Sequence, residues 1–252
     1  MRYFVVKGSI VRKIWGNPDT TLFIFAGGAA EFALNKAVDW LYFTGRLPAD
    51  PIGRLFSTVG YAKKIVFSEE EDALRAIDQI TAIHKNVEAN RGAKIPEWAY
   101  RDVLYMLIDY SIRAFEVLER KMTETEKAEA FIVFNAVGLR MGITGLPENY
   151  SDWKKSRDQH LEMDMAYSAF TADLYKQYRK HLGPVRFAIL KQAQNLITPP
   201  QVRKLLALNG IKLLIPLISI YKLFRLFKLD GPVKDLILPT RYRSQILALK
   251  GR

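Results

Sequence analysis

Apolar residues recur with helical period along almost the whole chain. After Phe67, the stripe Leu74, Ile77, Ile80 and Val87 repeats at three- and four-residue intervals, the spacing of one face of an amphipathic helix. Ser68 followed three residues later by Glu71 reads as a capping box at its start. His84 falls on the same stripe, four residues after Ile80 and three before Val87, so its imidazole is expected to point inward. A neutral imidazole in an interior needs a backbone carbonyl, a carboxylate or a metal as partner, and spacing alone leaves these open.

The same period organises the rest. A basic first helix ends near Gly16-Asn17-Pro18-Asp19, and an apolar stretch from about Thr21 to Phe43 contains Ala26-Gly27-Gly28-Ala29-Ala30, a small-residue run suited to close packing against a neighbour or a flat cofactor. Asp50-Pro51 is a natural helix start for PIGRLFSTVGYAKKIVF. A further helix is expected from about Pro96 to Lys121, and Thr123 with Glu126 repeats the capping-box signal. A long polar helix is expected over Ser151 to Leu182, stopped by Gly183-Pro184, and Pro199-Pro200 opens another. The pattern predicts an all-α fold of roughly eight to eleven helices. One globular domain over residues 1–252 is expected, enclosing an apolar pocket, with an N-terminal helix over 1–20 and a basic helical extension over 199–252 packed on it.

Composition narrows the chemistry. The chain contains no cysteine, which excludes thiolate ligation, iron–sulfur clusters and a cysteine nucleophile. Its three histidines, His84, His160 and His181, are too scattered for a three-histidine centre, and the latter two, on a highly charged helix, are expected in solvent. Lys and Arg number 38 against 26 Asp and Glu, a net charge of +12. The excess gathers at the C-terminal end, where Asp230 and Asp235 are the acidic residues after Lys176. Such a surface suits phosphate, as anionic lipid headgroups or nucleic acid, and no zinc-finger, RNP or helix-turn-helix pattern makes it a specific nucleic-acid reader. The apolar run Leu213 to Ile220 is broken by Pro216 and is too short for a spanning helix, which takes about 20 residues. With Tyr221 to Lys228 it reads as a basic amphipathic helix for a membrane interface or as a core helix with snorkelling cations. No secretory signal is recognised, so the expected setting is cytoplasmic and peripheral to a membrane.

The most specific constellation lies upstream of His84. Asp50-Pro51-Ile52-Gly53-Arg54-Leu55-Phe56-Ser57-Thr58 places Arg54 and Thr58 on one helix face, and His84 follows Thr58 by 26 positions. Taken singly, Arg54 reads as a salt-bridge residue and Thr58 as a hydroxyl bonded to its own backbone. Taken as a set, DPxGRxxxT followed by IHxxV resembles the all-helical catalytic domain of latex-clearing protein (rubber oxygenase) and the endoplasmic-reticulum-bound oxygenase of mycophenolate biosynthesis. The resemblance runs from about Ser9 to Trp153, with an echo in Gln192 to Leu208 and in Leu238-Pro239-x-Arg241.

That resemblance implies a haem b held among helices and oxygenation of an apolar, often alkene-bearing or isoprenoid, substrate by dioxygen. It makes His84 the iron ligand and puts Arg54, Ser57 and Thr58 on the cofactor's distal side. The chain departs from the family pattern in three places. Ser57 stands where latex-clearing proteins carry a lysine, and Asn35-Lys36 stands where many relatives have His-Pro. The distal carboxylate has Asp39 as nearest counterpart, with Glu31 behind it. Cations for the haem propionates are sought among Arg54, Lys63, Lys64 and Arg75. A reading of another class is a non-catalytic helical protein that binds an apolar ligand or an anionic membrane surface.

Overall fold

The computed structural model describes residues 2–208, 210, 214–216, 218 and 221. Among them the chain forms eleven helices and no strand, as the periodicity predicts. They are α1 (Ile10–Gly16), α2 (Pro18–Leu34), α3 (Val38–Phe43), α4 (Arg46–Ala49), α5 (Pro51–Phe67), α6 (Glu70–Arg91), α7 (Glu97–Leu118), α8 (Glu124–Met141), α9 (Tyr150–Met163), α10 (Ala169–Ile197) and α11 (Pro200–Leu205).

The core is built around α2. This helix is apolar on all sides and buried along nearly its whole length, which is what a central helix requires. Its small-residue run admits α7: a Cβ on Gly27 would lie 2.3 Å from the ring of Tyr110. The neighbour that fills this notch is therefore a tyrosine. Trp15 of α1 is fully buried and donates its indole N–H to Ser111 of α7 at 3.1 Å. Helix α10 covers another side, where Tyr178 donates to the carbonyl of Ala29 and Thr171 to that of Ala33.

Local signals fix most boundaries. Asn17 caps α2 ahead of Pro18, and Thr123 and Glu126 form the expected reciprocal box at α8. Gly92 and Gly142 end α6 and α8 in the left-handed conformation.

Four expectations are corrected. The amino-terminal helix spans only Ile10–Gly16, because Tyr3 pairs with Glu69 as an antiparallel bridge and the chain then bends and turns before Ser9 caps the helix. Ser68 ends α5 and its hydroxyl does not cap α6, which starts at Glu70 without a side-chain cap. The apolar stretch to Phe43 is two helices, since Asn35 leaves the helix to pair with Met165. The long polar helix is likewise two, α9 and α10, separated where Lys36 donates to the carbonyl of Asp164 and Ala166 to that of Leu34. Gly183-Pro184 does stop the helix, as expected: α10 is two helical segments joined at Gly183, whose φ of 74° and ψ of 170° are not helical. Tyr175 then reaches Gln194 at 2.9 Å, whereas 19 residues of straight helix would separate them by about 28 Å.

Among the described residues no helix is long and apolar enough to cross a membrane. Tyr221 donates to Asp19 at 2.8 Å and so returns the chain to the start of α2. The cations Lys222, Arg225 and Lys228 and the Leu238-Pro239-x-Arg241 echo lie outside the described residues.

Candidate functional site

Helices α5 and α6 form an antiparallel pair, and their facing sides bring Arg54 and His84 together. The DPxG segment is a capping device. Asp50 accepts the backbone N–H of Gly53 at 3.0 Å, Pro51 opens the helix, and a Cβ at Gly53 would stand 2.2 Å from the Asp50 carboxylate. Glycine at this position lets the cap close. Arg54 follows in the first turn, and its Nη1 donates to Thr58 Oγ1 at 3.0 Å and Ser57 Oγ at 3.3 Å. Ser57 in turn donates to the carbonyl of Arg54 at 2.7 Å. The three residues named from sequence thus form one hydrogen-bonded group.

His84 is half-buried, and its Nδ1 is buried with no hydrogen-bond partner among the described residues. The carbonyl or carboxylate partner that a core histidine ordinarily finds is missing from this nitrogen. Burial, followed by the positive charge of Arg54, holds the imidazole below its ordinary pKa, with Glu88 acting the other way. The ring is therefore neutral over a wider pH range than a free histidine. The ring of Tyr100 meets it edge-on at 5.3 Å. Glu88, one turn beyond His84, accepts Ile95 N–H at 2.9 Å and the Tyr100 hydroxyl at 3.2 Å.

Two turns past His84, Arg91 donates from Nη2 to Asp39 Oδ2 at 2.6 Å and lies 4.0 Å over the ring of Trp40. Asp39 is thereby placed beside the end of α6. Glu31, the acidic candidate behind it, is fully buried in a different network: Arg157 of α9 contacts both its oxygens at 2.5 and 2.6 Å, and Tyr110 donates at 2.9 Å. Of the other cations considered, Arg75 is exposed and paired with Asp72 and Glu71, and burial lowers the pKa of Lys63.

The sequence reading missed a second constellation. His160, expected in solvent, is buried at 6% exposure, and its Nδ1 contacts Asp102 of α7 and, at 3.0 Å, Asp164. His181 is half-buried. Asn35, at the position of the family's histidine, donates to the other oxygen of Asp102 at 2.7 Å. The donor atoms of Asp102, His160 and Asp164 lie within 4.8 Å of one another, a set that could hold a divalent cation. The i, i+4 spacing of His160 and Asp164 was a visible signal; Asp102, 58 positions upstream of His160, became visible only in three dimensions.

Among the described residues the domain is all-helical, as the periodicity predicts, and it carries the DPxGRxxxT and IHxxV segments on α5 and α6. The family model described as ER-bound oxygenase mpaB/B'/Rubber oxygenase, catalytic domain, matches residues 13–214, and the chain belongs to that family. The match reaches well beyond the Ser9 to Trp153 span of the sequence resemblance and takes in α9, α10 and α11. It makes the chain an oxygenase-family catalytic domain. No curated protein and no solved structure matches it.

Proposed function

We propose that this chain is a haem b-dependent oxygenase that acts with dioxygen on a hydrophobic substrate bearing an alkene or isoprenoid group, with His84 as the iron ligand. The observation that carries the reading is the Nδ1 of His84, buried and without a hydrogen-bond partner among the described residues, in a ring whose pKa is lowered by burial and then by Arg54. A neutral imidazole with an unsatisfied nitrogen fits the donor that haem iron takes from a protein. The haem, when bound, supplies the activation of dioxygen.

The chain's own residues supply the surroundings. Arg54, whose Nη1 is held by Thr58 and Ser57, would supply a fixed positive charge to stabilise negative charge developing on dioxygen. Asp39 is the carboxylate proposed to accept a proton, with Oδ2 already bound to Arg91. The His84 stripe continues in half-buried Ile80 and Val87, which suits an apolar substrate. The cations after Lys176 and the net charge of +12 support docking to an anionic membrane surface, from which such substrates partition. The other reading, a non-catalytic protein that binds an apolar ligand, draws support from Ser57 in place of the family's lysine.

A visible spectrum of the purified chain mixed with hemin separates the two. A Soret band that titrates to one equivalent and is lost in His84→Ala, with helical circular dichroism unchanged, is expected. A wild-type chain that stays colourless after gel filtration overturns the oxygenase reading.

A further inference from the structure

His84 Nδ1 is not the only buried polar atom on α6 without a hydrogen-bond partner among the described residues; Arg91 Nη1 is another. The two residues are seven positions apart, which is two turns, so they lie on one face of the helix. At a rise of about 1.5 Å per residue the separation along the axis is roughly 10 Å. Arg91 is also held in place. Its Nη2 is bound to Asp39 at 2.6 Å, and its guanidinium lies 4.0 Å over Trp40 and 5.4 Å from Phe43. A guanidinium so fixed offers donors in a set plane, and a buried N–H without an acceptor is a liability until one arrives.

The other candidate cations are differently placed. Arg54 Nη1 is engaged by Thr58 and Ser57, and Arg75, nine positions before His84, falls on the opposite side of α6 and is paired with Asp72. Haem b carries its two carboxylates at the ends of two-carbon arms on one edge, well beyond the ring radius from the metal. A single ligand of that shape, a flat ring with flexible anionic arms, can reach from a ligating histidine to an arginine two helical turns away.

We propose that Arg91, braced by Asp39 and Trp40, binds a propionate carboxylate of the haem ligated by His84. This inference rests on the function proposed above. It assigns the anionic end of the cofactor to the C-terminal end of α6, beside α3.

The test is a residue-by-ligand cycle read by Soret titration of the full chain. Wild type and Arg91→Gln are each titrated with hemin and with hemin dimethyl ester, which lacks the carboxylate charge. Wild type is expected to prefer hemin by roughly ten- to a hundredfold, the worth of a charge-assisted hydrogen bond, and Arg91→Gln to bind both alike. Arg91→Met, which keeps an apolar stem over Trp40, serves if the glutamine variant misfolds and is expected to give the same loss of preference. If the variants keep the wild-type preference for hemin, the Arg91 assignment is overturned while His84 ligation stands. If wild type gives no His84-dependent Soret band with either ligand, the proposed function fails and this inference with it.

Discussion

Arg157 reaches from α9 to Glu31 at the centre of the molecule and forms two hydrogen bonds of 2.5 and 2.6 Å with its carboxylate. Glu31 is fully buried and Arg157 is 3% exposed. Asp109 adds a second carboxylate to the same guanidinium at 3.1 Å, and Arg113 neutralises Asp109 from the other side at 2.6 Å. Two carboxylates and two guanidiniums thus meet where α2, α7 and α9 join.

Removing one partner from such a group leaves an uncompensated charge in the interior. Arg157→Met is expected to destabilise the fold by about 3–5 kcal/mol in urea unfolding. Pairing it with Glu31→Gln should restore part of that loss. A single variant with an unchanged midpoint would show that the network carries no stability.

Gly27 tests the close approach of α2 and α7. Its hypothetical Cβ lies 2.3 Å from Tyr110, whose hydroxyl is tied to Glu31, so the ring cannot move aside freely. Gly27→Ala should cost about 1–3 kcal/mol despite the higher helix propensity of alanine. Gly60→Ala, at an exposed helical position where nothing lies within 4 Å of the added carbon, is the control and should be neutral or stabilising.

Glu126 offers a titration. Arg120, then the N–H of Thr123, holds its carboxyl down to about 2 from an ordinary 4.5. The unfolded chain takes up this proton at higher pH than the folded one. The stabilisation is therefore complete above the ordinary value and is lost as the pH falls from there through the folded value. Carboxyl resonances followed by NMR should place Glu126 near the low value in wild type and clearly higher in Arg120→Leu. Equal midpoints would contradict the assignment.

Arg54 offers a ligand test of the proposed site. Azide binding to the ferric, hemin-loaded protein should weaken on the order of tenfold in Arg54→Leu, because a fixed guanidinium no longer faces the anion. Hemin affinity itself should change less. An unchanged azide affinity would place Arg54 away from the open side of the cofactor.

The fold class was legible because helical periodicity, proline starts and glycine stops are local. Thr123 with Glu126 and Asp50-Pro51 act within one turn, and both appear as expected. The errors arose where a distant segment competes for the same backbone. Asn35 and Met165 pair across 130 positions, and that pairing ends one helix and splits another. Ser68 has the right spacing for a box, yet it closes α5 with its own N–H on the carbonyl of Lys64.

The candidate site divides in the same way. Arg54, Ser57, Thr58 and His84 could be named because DPxGRxxxT and IHxxV together resemble a known family, although spacing alone left each of them a structural role. His160 could not be placed, because a helix rich in charge conceals a buried face that only Asp102 and Tyr105 of α7 reveal. Arg91 was equally silent, as its partners Asp39 and Trp40 come from another helix.

The sequence by itself determined the helical class, the family constellation and the residues of the α5 and α6 faces, because these depend on contacts a few positions apart. Which buried polar atoms find partners was decided only by the tertiary structure. The burial of a nitrogen and the reach of its neighbours depend on how separate helices pack, and that packing left His84 Nδ1 and Arg91 Nη1 without hydrogen-bond partners among the described residues while joining Glu31 to Arg157.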